Sequence, residues 1–286
     1  MTVFIIAECA ATWRFGNDHL ANAKRLIEAV KSCGADAAKF QWTSSAVRIA
    51  ERRHAPEYLA AYERLQFPRE WLGALKRMCD EAGIEFMCTV YLPEDIAVIA
   101  PLVKRFKVSS FESTDRAFLS AHEKYEKDVI ASSSGEATPL ARTVGESWWL
   151  KTLLCVSAYP APTEQMNLRR LLPYSDSILG LSYDYAGLSD HTTSVLTGAV
   201  AVGAGAEIIE KHVRMNGTPS SDPDRETAME AECLSCDGQG EWGCEGAPRC
   251  FRQYVRLIRE AERMMGTGEQ GAMECEKAMM RYRVKP

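Results

Sequence analysis

Two lysines stand inside apolar runs of the sequence, where a charged side chain is unusual. Lys39 lies in AKFQ and Lys107 lies in FKVSS. A buried lysine is rare unless it is paired, because removing an ammonium from water is costly. With the hydroxyl groups of Thr89, Ser110 and Ser132, the two lysines would form a cationic pocket suited to phosphate and carboxylate. Two alternatives stay open: structural salt bridges to acidic neighbours, or a Schiff base on either lysine, as in an aldolase.

Two histidines end consecutive β-like segments. His191 lies in SDHT and His212 closes IIEKH. Because adjacent strands lie about 4.8 Å apart, both imidazoles could hold one divalent ion and leave coordination positions for water or substrate. The alternative is one catalytic or core histidine and one unrelated histidine. The remaining histidines fall in helix or loop contexts, and we expect them to be solvated: His19, His54 and His122.

Two glutamates also end β-like runs, Glu8 and Glu112. A carboxylate beside such a pocket could position a sugar hydroxyl or act as an acid or base. It could equally be the counter-ion of Lys39 or Lys107. The residues alone do not separate these two roles.

The cysteines fall into two groups. The string CLSCDGQGEWGCEGAPRC contains a C-x2-C pair among glycines, with two further cysteines behind it. Such spacing lets thiolates converge on one tetrahedral ion, so we favour a structural zinc site over a flexible surface insertion. Its ligands would be Cys233, Cys236, Cys244 and Cys250. The other cysteines are scattered, and without a secretory signal we expect reduced thiols in a cytoplasmic protein.

Short apolar runs alternate with longer amphipathic segments along the chain. The runs are nearly continuously apolar, which is typical of parallel strands buried on both faces. We predict strands at 3–8, 37–41, 84–90, 106–110, 129–132, 152–157, 178–182 and 206–212. Helices are predicted at 19–33, 68–82, 93–104, 115–127, 193–203 and 251–266. This alternation predicts an α/β fold, a closed (β/α)8 TIM barrel, rather than an open doubly wound sheet, because no glycine-rich nucleotide fingerprint follows a strand.

A TIM barrel carries its chemistry at the carboxyl ends of its strands. Polar residues end almost every predicted strand, so we expect a polar pocket there. These residues are Glu8, Lys39, Gln41, Thr89, Tyr91, Lys107, Ser110, Glu112, Ser132, Ser133, Ser157, Tyr159, His191 and His212.

Composition excludes several classes of protein. The 286 residues are 46% hydrophobic and 26% charged, a globular composition. No apolar stretch approaches the roughly 20 residues that cross a bilayer, so we expect no membrane partner. The net charge of −5 argues against nucleic acid as the main partner. A small anionic substrate remains compatible with this charge.

Several segments together resemble one enzyme family. They are AKFQ, FKVSSFE, LLCVSAYPAPTEQMNLRRL, GLSDHT and AVAVGAGAEIIEKHV, in this order along the chain. The sequence resembles the N-acetylneuraminate (sialic acid) synthase family, NeuB-like, which includes legionaminate and pseudaminate synthases. The resemblance implies a TIM-barrel transferase of carbohydrate biosynthesis that condenses phosphoenolpyruvate with an aldose. The products would be a 2-keto-3-deoxy sugar acid and phosphate.

The resemblance also implies roles for individual residues. A divalent ion, Mn²⁺ before Mg²⁺ or Co²⁺, would be held by His191 and His212. Phosphoenolpyruvate would be surrounded by Lys39, Thr89, Lys107, Ser110, Ser132 or Ser133, Ser157, Tyr159 and Ser189. The sugar would face Glu8, Glu112 and Asp222, and Glu112 would manage the proton and water steps.

The sequence also departs from the family pattern. The family has an N-H-N-G-like stretch after the first strand, whereas residues 9–16 read CAATWRFG. We expect one NeuB-like barrel over 1–286, a Cys-rich insertion at 230–250 and no C-terminal antifreeze-like domain. The changes lie on the acceptor side, so we expect the donor chemistry to persist with an acceptor other than N-acetylmannosamine. Family habit suggests a homodimer. The alternatives are a Schiff-base aldolase and a non-catalytic barrel used as an interaction module.

Overall fold

A closed barrel of parallel strands forms the centre of the molecule. The computed structural model describes residues 2–134, 149–172, 174–176, 181–183, 185–232, 249–268 and 273–283. Its strands are β1 (Phe4–Ala10), β2 (Ala37–Gln41), β3 (Glu85–Thr89), β4 (Phe106–Val108), β5 (Val129–Ser133), β6 (Leu150–Cys155), β7 (Tyr174–Asp176), β8 (Leu181–Tyr183), β9 (Gly187–Asp190), β10 (Ile208–Arg214) and β11 (Met229–Glu230). Strands β1 to β6, β9 and β10 follow one another around the barrel, and β10 pairs with β1 to close it. The predicted TIM barrel is confirmed.

The seventh barrel strand lies elsewhere than predicted. The apolar run at 178–182 overlaps β8, which pairs antiparallel with β7 in a separate two-stranded sheet. The barrel strand is β9, whose sequence GLSD is short and half polar. Gly187 opens it because a Cβ there would collide with the backbone carbonyl of Ile208 on β10. The prediction was wrong because hydrophobicity alone does not reveal this need for close backbone contact.

Helices follow most strands and cover the outside of the barrel. They are α1 (His19–Ser32), α2 (Ala46–Arg52), α3 (Leu59–Glu63), α4 (Glu70–Ala82), α5 (Pro93–Ile99), α6 (Arg116–Ser120), α7 (Thr197–Gly203), α8 (Phe251–Met265) and α9 (Lys277–Met280). The Asp18 side chain caps α1 by accepting a hydrogen bond from the amide of Ala21 at 3.0 Å. Gly83 ends α4 in a left-handed conformation, with φ 67°. Helices α2 and α3, which follow β2, were not predicted.

An apolar layer closes one end of the barrel interior. Consecutive residues of a strand point to opposite faces, so alternate side chains fill the inside. The layer consists of Ile6, Ala37, Met87, Ile130, Leu153 and Ile208. Above it, toward the carboxyl ends of the strands, the inward side chains become polar. Among the described residues, the polar cavity of the barrel therefore lies at the carboxyl ends of the strands.

Several expectations fall on parts of the chain that the structure does not describe. Cys233, Cys236 and Cys244 lie outside the described residues, while Cys250 is buried immediately before α8. The zinc site therefore stays a prediction. Within the described ranges, no helix combines the length and apolar character that crossing a bilayer requires.

Candidate active site

A cavity of about 1070 Å³ opens at the carboxyl ends of the barrel strands. Most residues that the sequence singled out line it. These are Glu8, Lys39, Gln41, Thr89, Tyr91, Lys107, Ser110, Glu112, Ser132, Ser157, Tyr159, Ser189, His191 and His212. Side chains from strands far apart in the sequence thus meet in one place.

Lys39 lies in the cavity wall within a network of ion pairs. It pairs with Glu8 of the neighbouring strand β1, and its Nζ lies 3.3 Å from Oε1 of Glu210. It also donates a hydrogen bond to the Thr89 hydroxyl at 3.0 Å. Burial acts to lower the pKa of Lys39, but Glu210 and Glu8 outweigh burial and raise it. Lys39 is therefore a charged cavity residue and a salt-bridge partner at once.

Lys107 occupies the next position around the same wall. Its Nζ donates to the hydroxyl of Ser132 at 2.8 Å and lies 3.3 Å from Oε2 of Glu210. Burial lowers the pKa of Lys107, and its ion pair with Glu210 only partly offsets this. For Glu210, burial acts to raise the pKa, but Lys107 and Lys39 outweigh burial and lower it. Glu210 is thus the buried carboxylate that joins the two lysines.

Sequence reasoning did not assign a role to Glu210. The residue stands two positions before His212 in IIEKH, so strand alternation turns both toward the cavity. That spacing could have predicted that Glu210 faces the cavity. The meeting with two lysines on β2 and β4 was not visible in the sequence.

The two histidines lie side by side: His191 directly follows β9, His212 lies on β10, and their ring centroids are 5.4 Å apart. His191 donates its Nδ1 hydrogen to the carbonyl of Val156 at 2.8 Å, which leaves the lone pair of Nε2 available. Burial acts to lower the pKa of His191, but contact with the Cys155 thiol outweighs burial and raises it. In its neutral form, with the hydrogen on Nδ1, His191 can act as a metal ligand through Nε2.

His212 presents a buried nitrogen to the site. Its Nδ1 makes no hydrogen bond within the described part of the chain and lies 3.3 Å from Oδ1 of Asp224. Burial lowers the pKa of His212, and neighbouring His191 lowers it further. The described residues contain no cluster of three or more side chains placed to hold a metal ion. His191 and His212 are two neighbouring imidazoles that could contribute to holding one, with its other positions left open.

Asp224, rather than the predicted Asp222, lines the cavity. Burial, Asp222 and Glu8 together raise the pKa of Asp224 to about 7. Asp222 is buried outside the cavity lining and pairs with Arg64. Two aspartates separated by one proline are equivalent in the sequence, so only the loop conformation distinguishes them.

Glu112 is held firmly at the outer part of the cavity. Its two carboxylate oxygens accept hydrogen bonds from Nε and Nη2 of Arg53, both at 2.8 Å, and a further one from the Ser109 hydroxyl. The Arg53 guanidinium also lies 4.9 Å from the Tyr91 ring and 4.7 Å from the Phe111 ring. All three bonds are accepted by the Glu112 carboxylate, so its position is fixed by groups of the cavity wall. The structure therefore makes it an anchor of the cavity wall.

Two further expectations differ from the structure. Ser133 does not line the cavity, because it follows Ser132 and points to the opposite face of β5. His122 was expected in solvent but is buried, and its Nδ1 bonds to the Phe118 carbonyl at 2.9 Å. His54 is exposed, as expected.

The sequence profile of the NeuB family matches residues 26–236. The chain belongs to the NeuB family. It is 33% identical to the N,N'-diacetyllegionaminic acid synthase of Legionella pneumophila over 94% of this chain and 75% of that protein. It is 25% identical to the human N-acetylneuraminate-9-phosphate synthase, over 96% of this chain and 74% of that protein.

The fold comparison points the same way. The sialic acid synthetase of Leptospira borgpetersenii, solved with citrate, superposes with a TM-score of 0.79 at 24% identity. The match covers 99% of this chain and 92% of that chain. The chain shares this fold, and its family makes it a sialic-acid-synthase-like enzyme.

Proposed function

We propose that this enzyme condenses phosphoenolpyruvate with an aldose and releases phosphate. The observation that carries the proposal is the single cavity in which two lysines and several hydroxyls face two histidines. Ammonium and hydroxyl groups suit phosphate and carboxylate, and paired imidazoles suit a divalent ion. The relatives named as synthases of sialic-acid-type sugars support the same reaction.

Phosphoenolpyruvate would bind between Lys39 and Lys107. Their ammonium groups already contact the hydroxyls of Thr89 and Ser132, which can turn toward phosphate oxygens. Ser110 and Ser157 share a hydrogen bond of 2.9 Å in the same cavity, and a bound anion would supply both with a better acceptor. These groups would hold the enol so that one face meets the aldehyde.

Charge balance in the cavity supports a divalent ion. Among its described lining residues are five carboxyl groups: Glu8, Glu112, Asp115, Glu210 and Asp224. Four cationic side chains oppose them: Lys39, Arg52, Arg53 and Lys107. Because the pKa of Asp224 is raised to about 7, Asp224 carries only part of a charge near neutral pH, and the lining is close to neutral. A substrate with a phosphate and a carboxylate would add negative charge, which is costly in a buried site. A bound dication would offset that cost.

We assign the ion to His191 and His212, with Mn²⁺ proposed before Mg²⁺ or Co²⁺. The free Nε2 lone pair of His191 and the buried Nδ1 of His212 fit such a ligand pair. When bound, the ion would polarise the aldehyde oxygen of the open-chain sugar as a Lewis acid.

The bond changes balance with water as the one further reactant. The methylene carbon of phosphoenolpyruvate attacks the aldehyde carbon, whose oxygen takes a proton. Water adds to the carbon that bears the phosphate, and cleavage of the carbon–oxygen bond then releases phosphate and leaves the 2-keto group. Glu8 and Asp224 line the cavity and are the carboxyl groups that we propose pass these protons.

A Schiff-base aldolase is the second candidate, because burial lowers the pKa of Lys107 and a neutral amine is the nucleophile in that chemistry. Borohydride trapping with a keto acid would attach the acid to Lys107 if this reading is right. The condensing enzyme should give no adduct.

The deciding experiment measures phosphate release from phosphoenolpyruvate with a panel of aldoses, with and without Mn²⁺. We expect release that depends on both an aldose and the ion, with an acceptor other than N-acetylmannosamine preferred. Equal turnover of N-acetylmannosamine would contradict the acceptor proposal alone. No release with any aldose would contradict the reaction itself.

A further inference from the structure

A wholly buried ion pair lies behind the two histidines, on the outer side of the barrel. Strand alternation turns Ser189 and Glu210 into the cavity, so their neighbours Asp190 and Lys211 point outward. Asp190 and Lys211 are paired in register between β9 and β10. Both side chains are 0% exposed, and Nζ of Lys211 lies 3.2 Å from Oδ2 of Asp190.

The ion pair is tied to the backbone that carries His191. Oδ1 of Asp190 accepts a hydrogen bond from the Thr192 amide at 2.8 Å, while Lys211 donates to the Thr192 carbonyl. The hydroxyl of Tyr254 donates to Oδ2 of Asp190 at 2.8 Å. These bonds hold the residues on both sides of His191, and Lys211 immediately precedes His212.

The close packing of helices α7 and α8 places the Tyr254 hydroxyl beside Asp190. Tyr254 lies on α8, which packs against α7 at Gly198. A Cβ at Gly198 would come within 2.7 Å of the Tyr254 hydroxyl and of the Ile258 side chain. A larger residue would push α8 outward and withdraw the hydroxyl from Asp190. The outer helix layer is thereby linked to the cavity wall.

Stability alone does not account for such a pair. Buried ion pairs are often no more stabilising than apolar residues of the same volume, because desolvation offsets the attraction. A buried polar network whose members are hydrogen-bonded instead specifies one geometry. Here that geometry is the placement of the two strand ends that bear the imidazoles.

We propose that Asp190, Lys211 and Tyr254 are positioning residues that set the relative placement of His191 and His212. Through that placement they tune the affinity for the divalent ion, a part of the proposal that rests on the proposed function. They touch neither substrate nor ion.

The test compares two tyrosine variants that each lose one hydrogen-bonded hydroxyl. Tyr254→Phe removes the bond to Asp190 and keeps the ring. Tyr185→Phe is the matched control, because this buried hydroxyl accepts a hydrogen bond from Arg170 at 2.9 Å and the residue does not line the cavity. We expect similar falls in melting temperature for both variants.

Two readouts separate positioning from simple stabilisation. In metal-free protein with ¹⁵N-labelled histidine, Tyr254→Phe should shift or broaden the imidazole signals of His191 and His212, and Tyr185→Phe should not. In Mn²⁺ titrations followed by electron paramagnetic resonance, Tyr254→Phe should weaken binding about 10-fold, the lower range for such supporting residues.

Unchanged imidazole signals in Tyr254→Phe would overturn the positioning role, whatever its melting temperature. If the unaltered protein binds no Mn²⁺, the ion in the proposed function is wrong, and the imidazole signals still decide the positioning role. Shifted signals with unchanged Mn²⁺ affinity would overturn the link between placement and ion binding.

Discussion

Replacing Lys39 by methionine separates its structural role from its chemical role. The change leaves Glu210 with Lys107 and with the Ser189 hydroxyl at 2.7 Å. Glu8 keeps only the amide of Ala10, at 2.7 Å, as a partner that the structure describes. Removing one member of a buried ion pair typically costs about 3–5 kcal/mol. We expect a loss of about 3 kcal/mol for Lys39→Met, because the Ala10 bond keeps Glu8 partly satisfied.

A second substitution should recover most of that loss. In Glu8→Gln/Lys39→Met the uncompensated charge is gone, while the glutamine carbonyl can still accept from Ala10. Urea unfolding of both single variants and the double variant gives the coupling energy, which we expect at about 2 kcal/mol. Lys76→Met is the surface control: its pair with Asp80 lies on the solvent-facing side of helix α4, and its loss should cost at most about 0.5 kcal/mol.

Activity should not follow stability in this series. Phosphate release from phosphoenolpyruvate should be lost in Lys39→Met, because no ammonium then faces the donor at that position. It should stay lost in the double variant, which lacks the same ammonium and also the Glu8 carboxylate. If the double variant were as unstable as Lys39→Met, the buried network would not be coupled as described. Turnover by the double variant at the unaltered rate would refute Lys39 as a donor ligand.

The remaining predictions concern the barrel seam and the ions. Gly187→Ala should lower the free energy of unfolding by about 3 kcal/mol, because the new methyl group would meet the Ile208 backbone. Gly73→Ala, inside α4, should raise the free energy of unfolding by about 1 kcal/mol. Thermal unfolding of both variants tests these expectations. His212→Ala should abolish activity and Mn²⁺ binding with little loss of stability, and a fully active variant would contradict the proposed role. Chelator-washed protein should retain about one zinc ion by elemental analysis if the cysteine cluster is a structural site, and folded protein without zinc would exclude it.

The ion pairs in the cavity explain how two buried lysines are accommodated when no anion is bound. Its lysines are not free cations, because Glu8 and Glu210 neutralise them in the described structure. The lysines and hydroxyls do line one cavity, but Lys39 and Lys107 are held in ion pairs, as the alternative of structural salt bridges has it, and without a ligand the cavity is not cationic. Substrate binding would then exchange carboxylate partners for phosphate and carboxylate groups of the ligand.

Much of the fold could be predicted from the sequence, because parallel strands that are buried on both faces appear as continuous apolar runs. The runs at 37–41 and 84–90 coincide closely with β2 and β3, and the polar residues after them do face one cavity. Residue type and position along a strand are local properties. They were enough to predict the barrel, the end that carries the site and about half of the lining residues.

What remained hidden depends on contacts between distant segments. Glu210 became the bridge between two lysines only when β10, β2 and β4 closed around one interior. The seventh strand could not be placed from hydrophobicity, since Gly187 is required by the approach of another backbone. The choice of Asp224 over Asp222 depends on how one loop bends back over the barrel mouth. The sequence therefore determines which side chains are present and which face of a strand they occupy, whereas the packing of distant segments determines which of them come into contact.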